Sequence, residues 1–438
     1  MSDSSTTVAI LGGGLAGLQT SRLLGERGVE SLVLESRSEP GGLCRSISSG
    51  PWRWDIGPHA FYSRRRDAMA YYEALPLDYE KHARRVRVAH RGPQERLFEV
   101  GYPFENGLAD LPWKHRWDCL LGILRTRLSG RSSFENLSDW IENGLGDGIG
   151  RHFMLPYNRK IWNSELHRIS MALVKGKIEP EPLWKVFRNA FVSGTVGRAY
   201  QSQFLYPKGG AGQIPGAVAA MVKDRLRLDW GVRSIRREDG RWIIESSDGR
   251  TVSSESVVST IPIPKLVECL QETVPVSGEM FRYNDTYITA IGLKEGRSFG
   301  AFGNCHWTFF AGRENFYRLT FMDTMESGRL PVVVAETTKK SETLPPDALT
   351  AAVLRDLQEA GILDSEESVG LAQTHLEPNT YPIQTVGMED NRARLETHLR
   401  SMGMHLIGRN GRWDYVNTDG IFLSVEAFVQ ERVEEMRA

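Results

Sequence analysis

Three glycines and one acidic residue stand at a regular spacing in the first part of the chain. Gly12, Gly14 and Gly17 form a G-x-G-x-x-G pattern, and Glu35 follows the last glycine by 18 residues. In such a pattern the first glycine permits a tight turn, the second lets the backbone approach a pyrophosphate, and the third lets a helix pack closely on a strand. Amides at the start of that helix would face the phosphates, and the carboxylate of Glu35 would accept hydrogen bonds from an adenosine ribose. The pattern predicts a bound dinucleotide.

The elements around these residues have the order that such a site requires. Val8 to Leu11 is a short apolar run of strand type, and Leu18, Leu23 and Leu24 then recur at helical spacing. Residues 31 to 34 read as a second strand that ends at the acid. Taken alone, the glycine pattern also fits a turn that binds no ligand. The strand, the helix and the acid together predict a βαβ unit.

Composition limits the classes of function. The 438 residues suffice for two or three domains, with 40% hydrophobic and 25% charged residues, as in soluble globular proteins. A net charge of -1 argues against a general nucleic-acid binder, so a local basic cluster must meet any anionic ligand. The cysteines are scattered without a C-x-x-C pair, so we expect neither a disulfide framework nor a metal site. We also expect no membrane-spanning segment and a cytoplasmic location.

A second glycine pair follows the acid, in Glu39-Pro40-Gly41-Gly42-Leu43. With the βαβ unit, this segment resembles flavoproteins of the amine-oxidase and UDP-galactopyranose-mutase type more than nicotinamide dehydrogenases. The resemblance extends over about residues 8 to 430. It implies FAD as the cofactor, with Gly41 and Gly42 beside it. It also implies an α/β (α+β) fold with a Rossmann-type FAD-binding domain, an antiparallel substrate sheet and an inserted helical domain.

Further cofactor contacts follow from the resemblance alone. Asp55-Ile56-Gly57-Pro58-His59 is similar to a D-x-G-x-H segment that lies over the flavin ring, so Gly57 and His59 would face the isoalloxazine. On spacing alone a core or surface histidine is the favoured alternative for His59. Other positions would contact the adenine, the flavin or the pyrophosphate; these are Val232, Gly408, Arg409 and Asp419.

Substrate contacts are implied in the same way. Arg318 lies in a string similar to P-F-Y-R-x-T, whose arginine clamps a diphosphate, and Lys177 takes the place of a second clamp. Tyr415 takes the position of a tyrosine that touches the diphosphate. Two further segments place four residues near the flavin, sugar or nucleotide, namely Phe104, Glu105, Asn158 and Trp162. For the last two, a helix with one buried tryptophan is the alternative.

Three departures from the family pattern leave the substrate open. Lys177 stands where the mutases use arginine, so the charge is kept but the bidentate fork is lost. Glu105 stands where relatives often carry glutamine, and Met325 replaces a phosphate-contacting tyrosine.

The resemblance also predicts the domain organisation. Residues 1–62, 205–265 and 400–438 would form the FAD-binding domain, residues 63–104 and 266–399 the substrate domain, and residues 105–204 the helical insertion. In the insertion a helix beginning near Trp113 would present Trp117, Leu120, Leu121 and Leu124 on one face. We expect that face to pack on the protein itself, with a membrane surface as the alternative.

Two enzymatic functions follow. The first is a sugar-nucleotide mutase-like isomerase acting on UDP-galactopyranose or a related compound, in which pyranose and furanose rings interconvert through an adduct at N5 of the reduced flavin. Its catalytic residues would be His59, Lys177, Arg318 and Tyr415. The second is an FAD-dependent oxidoreductase of amine-oxidase or desaturase type. A flavin-binding protein without chemistry ranks below both. NAD(P)H is a candidate reductant, and it would have to act in the flavin pocket, because no separate nicotinamide motif is present.

Overall fold

The structure is a computed structural model that describes residues 4–57, 59–174, 183–192, 203–434 and 436. It has the mixed α/β fold that the sequence predicted, and this fold is built on two seven-stranded sheets. The first sheet contains β1 (Ser4–Leu11), β2 (Ser31–Leu34), β9 (Leu226–Arg227), β10 (Val232–Glu238), β11 (Arg241–Ser246), β12 (Thr251–Ser259) and β18 (Met404–Leu406). The second contains β6 (Val86–Arg91), β7 (Leu97–Gly101), β13 (Tyr283–Leu293), β14 (Trp307–Phe310), β15 (Arg318–Phe321), β16 (Val332–Thr338) and β17 (Val369–Pro382).

Two smaller sheets and the helices complete the description. The strand pairs are β3 (Ser46–Ser49) with β4 (Trp52–Asp55), and β5 (Tyr79–Ala83) with β8 (Gln203–Pro207). The α-helices are α1 (Leu15–Glu26), α2 (Arg66–Ala74), α3 (Trp113–Ser129), α4 (Leu137–Trp140), α5 (Asp147–Ile149), α6 (Leu155–Ile161), α7 (Leu183–Asn189), α8 (Gln213–Met221), α9 (Ile263–Cys269), α10 (Pro346–Glu359), α11 (Met388–Ser401), α12 (Gly408–Gly411) and α13 (Thr418–Arg432). None of the described helices is both long and apolar enough to span a bilayer.

The first sheet confirms the predicted βαβ unit. Strand β1 pairs in parallel with β2 on one side and β12 on the other, and β18 continues the parallel part beside β12. Val8 to Leu11 are fully buried, as a parallel strand covered on both faces requires. The carboxyl ends of β1 and β2 therefore bring the glycine turn and Glu35 to one edge of the sheet, where ligands of such sheets bind.

The second sheet is antiparallel except at one pair of strands. Its order is β17-β13-β16-β15-β14-β6-β7. The alternation of residues 86 to 100, with Arg91-Gly92-Pro93 as a turn, predicts a hairpin, and this hairpin forms β6 and β7. Strands β14 and β6 pair in parallel, from Trp307 opposite Val86 to Phe310 opposite Ala89. This parallel pair departs from the antiparallel sheet that we expected. It is possible because the two strands lie far apart in sequence and need no hairpin between them.

Helix α3 buries a different face from the one expected. Cys119, Leu120 and Ile123 are buried, whereas Trp117 and Leu121 are 45% and 46% exposed, so the predicted apolar face is correct at Leu120 and wrong at Trp117 and Leu121. The reason is the close approach of α5. A Cβ atom added to Gly122 would lie 2.9 Å from the backbone nitrogen of Gly148, a distance that only glycine tolerates. The close approach at Gly122 therefore determines which face of α3 packs against α5.

One glycine offers a direct test of the βαβ packing. A Cβ atom added to Gly17 would overlap the carbonyl oxygen of Gly12, a backbone atom that cannot turn aside as a flexible side chain can. Gly17→Ala should therefore lower both the melting temperature and the fraction of protein purified with flavin, measured by differential scanning fluorimetry and flavin absorbance.

The matched control for this prediction is Gly216→Ala in α8. There an added Cβ atom meets nothing within 4 Å, so the change should be neutral or stabilise by up to about 1 kcal/mol. Equal melting temperatures and flavin contents for the two variants would contradict the packing described here.

Candidate active site

Two glycine turns lie against each other at the start of α1. The amide of Gly41 donates a 2.8 Å hydrogen bond to the carbonyl of Gly13. A Cβ atom added to Gly42 would lie 3.1 Å from the Cα atom of Gly14, so no side chain fits between the turns. The surface that they form consists of backbone, and it includes the first amides of the helix. Such a surface lets phosphate groups approach closely.

Glu35 lies beside this surface with its carboxylate buried. One carboxylate oxygen accepts a 2.6 Å hydrogen bond from the amide of Gly13, and the other accepts a 2.9 Å bond from the amide of Arg37. The amide of Trp230 donates to the carbonyl of Glu35 at 2.7 Å, just before β10 begins at Val232. The residues predicted for the ribose and the adenine therefore lie at the same end of the first sheet.

Gly408 and Arg409 approach α1 from the C-terminal part of the chain. Gly408 has a φ of +75°, and a Cβ atom there would lie 2.7 Å from that of Ala16. The Nε and Nη2 atoms of Arg409 are buried and have no hydrogen-bond partner among the described residues. A buried guanidinium is costly unless acceptors reach it. Phosphate or flavin oxygens would supply those acceptors, so these residues fit an FAD group.

His59 lies next to the second glycine turn. Its Nδ1 atom is 3.0 Å from the carbonyl oxygen of Gly57. Burial alone would lower the pKa of His59, but interactions with Cys44, Asp55 and the Gly57 carbonyl outweigh it and raise the pKa to about 9. The imidazole therefore carries a positive charge at neutral pH. The protein's own packing does not require glycine at position 57, where an added Cβ atom meets nothing within 4 Å.

The start of α13 is tied to the same segment. The Oγ atom of Ser63 donates a 2.8 Å hydrogen bond to the carboxylate of Asp419, and Tyr72 donates to the Oγ1 atom of Thr418 at 2.9 Å. Asp419 is therefore held by the protein in the first turn of the helix. The role predicted for it at the flavin stays a prediction.

The predicted substrate residues come together around Tyr381. Its ring stacks with that of Tyr415 at 5.8 Å between centroids, and Trp162 meets both rings edge-on at 6.3 and 6.2 Å. The guanidinium carbon of Arg409 lies 4.7 and 4.8 Å from the two tyrosine centroids. Arg318 donates a 2.8 Å hydrogen bond from Nη2 to the Tyr381 hydroxyl. We call these five residues the tyrosine cluster.

Arg318 is already bound by a carboxylate. Its Nε and Nη2 atoms each donate a 2.6 Å hydrogen bond to Glu336, its cross-strand partner, which also accepts a 2.9 Å bond from the Tyr317 hydroxyl. Glu336 is 1% exposed. Burial alone would lower the pKa of Arg318, but the nearby carboxylate raises it well above its usual value. The charge of this arginine is therefore compensated within the protein, which the sequence did not reveal.

The other predicted substrate residues are not members of the tyrosine cluster. Asn158 accepts a 3.1 Å hydrogen bond from Trp162 Nε1 and donates a 2.7 Å bond to the carbonyl of Met154. Both of its amide atoms are thus occupied, and it holds the indole ring in place. Phe104 is buried, and Glu105 beside it is partly exposed. The clamp predicted at Lys177 falls outside the described residues.

Phe104 connects to the cluster through stacked aromatic rings. It stacks on Phe153 at 5.0 Å, Phe153 stacks on Tyr157 at 5.0 Å, and Tyr157 meets Tyr317 at 6.4 Å. We call Phe104, Phe153, Tyr157 and Tyr317 the aromatic wall. The hydroxyl of Tyr317 reaches Glu336, so the wall ends at the partner of Arg318.

Two buried acids were missed in the sequence. Glu336 is the single acid in the mainly apolar segment from Val332 to Thr338. A charged residue inside such a segment indicates that it is buried and paired with a residue of opposite charge. Asp55 accepts hydrogen bonds from Ser46 Oγ, the Tyr206 hydroxyl and the Ala211 amide at 2.6, 2.7 and 3.1 Å. This carboxylate fixes the strand that leads to His59.

Replacing Glu336 tests the buried ion pair. Glu336→Gln should lower the free energy of unfolding by about 3 kcal/mol, because Arg318 would stay buried without a compensating charge. Urea denaturation monitored by tryptophan fluorescence measures the loss. Glu268→Gln, at an exposed pair with Lys265, is the control and should change stability little. A similarly small loss for Glu336→Gln would mean that the pair is not buried as described.

The sequence of the chain matches known flavoproteins. The family model of flavin-containing amine oxidoreductases matches residues 15–416. Flavin-containing amine oxidase A of Sus scrofa is 21% identical over 271 residues, which cover 58% of this chain and 49% of the relative. The enzyme of Canis lupus familiaris is 23% identical over 276 residues, with the same coverage. The chain thus spans about half the length of the curated relatives that it matches.

The fold is also shared with solved structures. Reduced UDP-galactopyranose mutase superposes with a TM-score of 0.87 at 23% identity, covering 97% of this chain and 95% of that one. Cyclohexylamine oxidase from Brevibacterium oxydans IH-35A superposes with a TM-score of 0.69 at 14% identity, covering 99% and 100%. The resemblance seen in the sequence is thereby confirmed. Because the family model spans most of the chain, this protein belongs to the flavin-containing amine oxidoreductase family.

Proposed function

We propose that this flavoenzyme is an isomerase that interconverts the ring forms of a sugar nucleotide, such as UDP-galactopyranose. The observation that carries the proposal is the tyrosine cluster. It joins residues from four distant parts of the chain, and two guanidinium groups flank its two stacked tyrosines. Each of these residues except Tyr381 was singled out by the sequence for the cofactor or the substrate.

The charge balance of the cluster favours an anionic substrate. Arg318 and Arg409 contribute two positive charges, and Glu336 contributes one negative charge, so one positive charge remains. A diphosphate gains from such surroundings, whereas the ammonium group of an amine substrate is repelled.

The residues that would hold FAD are the two glycine turns, Glu35 and Arg409. The glycine turns would receive the pyrophosphate, Glu35 the adenosine ribose, and Arg409 an anionic or carbonyl oxygen of the cofactor. When bound, FAD supplies the nucleophile of ring interconversion in its reduced form, or a hydride acceptor in its oxidised form. The chain itself would bind and orient the substrate, with Tyr415 and Arg318 at the diphosphate.

An oxidoreductase is the second candidate, and one residue favours it. Met325 stands where the mutases place a phosphate-contacting tyrosine, and its side chain is 1% exposed within an apolar core. It therefore cannot replace the lost hydroxyl. A pocket with fewer phosphate contacts would suit the removal of hydride from a smaller substrate, as the amine oxidases among its relatives suggest.

The test is a reaction under anaerobic conditions. The yellow protein is reduced with dithionite, UDP-galactopyranose and other sugar nucleotides are added, and the sugar products are analysed. The proposal expects ring isomerisation that needs reduced flavin and consumes no net electrons. Failure to convert any sugar nucleotide, together with bleaching of oxidised flavin by an amine or cyclic substrate, would establish the oxidoreductase instead.

Arg318→Lys tests the binding role within this reaction. Glu336 occupies Nε and Nη2 of Arg318, so the third nitrogen, Nη1, would be the one to bind a diphosphate. Lysine keeps the charge that Glu336 needs but has a single nitrogen, so the affinity for a nucleotide diphosphate should fall about tenfold while FAD stays bound. Arg318→Ala is less informative because it would leave Glu336 buried and unpaired. Arg313→Lys, at an exposed residue, is the control. Unchanged affinity in Arg318→Lys, measured by isothermal titration with UDP, would remove Arg318 from the binding site.

A further inference from the structure

Three histidines that the flavin chemistry does not use lie close together beside Phe104 of the aromatic wall. His90 lies in β6, His115 in the first turn of α3, and His152 in the π-helical turn Gly150–Met154. One ring nitrogen from each lies within 4.8 Å of the others. The Nε2 atom of His90 is 2.8 Å from Nδ1 of His115, and the rings of His115 and His152 stack at 4.2 Å.

We propose that His90, His115 and His152 form a binding site for a divalent transition-metal ion, with zinc as the ion that they suit best. Three imidazoles are a known ligand set for zinc, and their nitrogens bind it at about 2.0–2.1 Å. Nitrogens within 4.8 Å of one another reach these distances through small side-chain rotations. His115 and His152 are partly exposed, so water can reach the fourth coordination position.

Asp118 supplies the outer part of such a site. Its carboxylate oxygen lies 2.8 Å from Nε2 of His152 and is also paired with Arg151. Histidines that bind metals commonly donate their second N–H to a carboxylate, which fixes the orientation of the ring. Because Arg151 compensates the charge of Asp118, we assign the carboxylate to orientation and the three imidazoles to coordination.

A metal here would join two parts of the fold. His90 belongs to the second sheet, whereas His115 and His152 belong to the helical region. His90 also lies 6.2 Å from the ring of Phe104, the first member of the aromatic wall. An ion that binds the folded protein stabilises it by mass action, so it would hold the helical region and the wall together.

The experiment measures zinc binding by the protein carrying FAD. The protein is treated with a chelator and desalted, and it is then titrated with Zn²⁺ alone in a calorimeter. We expect one equivalent to bind with a rise in melting temperature. His115→Gln and His152→Gln should each weaken binding at least about tenfold, and Asp118→Asn should weaken it about 10- to 100-fold.

The matched control is His167→Gln, which changes an exposed histidine of the same helical region. It should leave zinc affinity unchanged. Flavin absorbance identifies any variant that fails to fold. Because two histidines are replaced independently, the test still works if one of the two variants does not fold. Absence of stoichiometric binding by the unaltered protein, or equal affinity in His115→Gln, His152→Gln and His167→Gln, would overturn the proposal and leave a hydrogen-bonded histidine cluster.

Discussion

The buried ion pair between Arg318 and Glu336 determines the character of the candidate active site. The two residues face each other across β15 and β16 in the middle of the second sheet, where an unpaired charge would be very costly. The pair then extends outward, since Glu336 accepts a bond from Tyr317 and Arg318 donates one to Tyr381. Through these two hydroxyls it positions both the aromatic wall and the tyrosine cluster.

This arrangement separates the predicted cofactor residues from the predicted substrate residues in energetic terms. At the glycine turns, cofactor binding would rely on backbone groups whose approach depends on missing side chains. At the tyrosine cluster, substrate binding would rely on charge, because Glu336 compensates Arg318 and leaves the positive charge of Arg409. The two regions meet at Arg409, because its neighbour Gly408 packs on α1 while its own guanidinium lies over Tyr381 and Tyr415.

The sequence predicted the parts of the molecule that depend on local chemistry. The glycine pattern, the terminal acid Glu35 and the hairpin of β6 and β7 are set by neighbouring residues, and the structure has each of them. Contacts between residues that are far apart in the chain left no recognisable pattern in the sequence. The pairing of Arg318 with Glu336, the parallel pair β14 and β6, and the meeting of His90, His115 and His152 all depend on tertiary packing. The buried face of α3 was mispredicted because the close contact of Gly122 with α5 outweighed the apolar pattern.

The most direct test is a crystal structure of the reduced protein with UDP. We expect the diphosphate beside Arg318 and Tyr415, at the tyrosine cluster, with FAD on the glycine turns and the Arg318–Glu336 pair intact. A diphosphate bound elsewhere, or a cluster closed to UDP and open to an amine, would contradict the claim that this site was built for an anionic substrate.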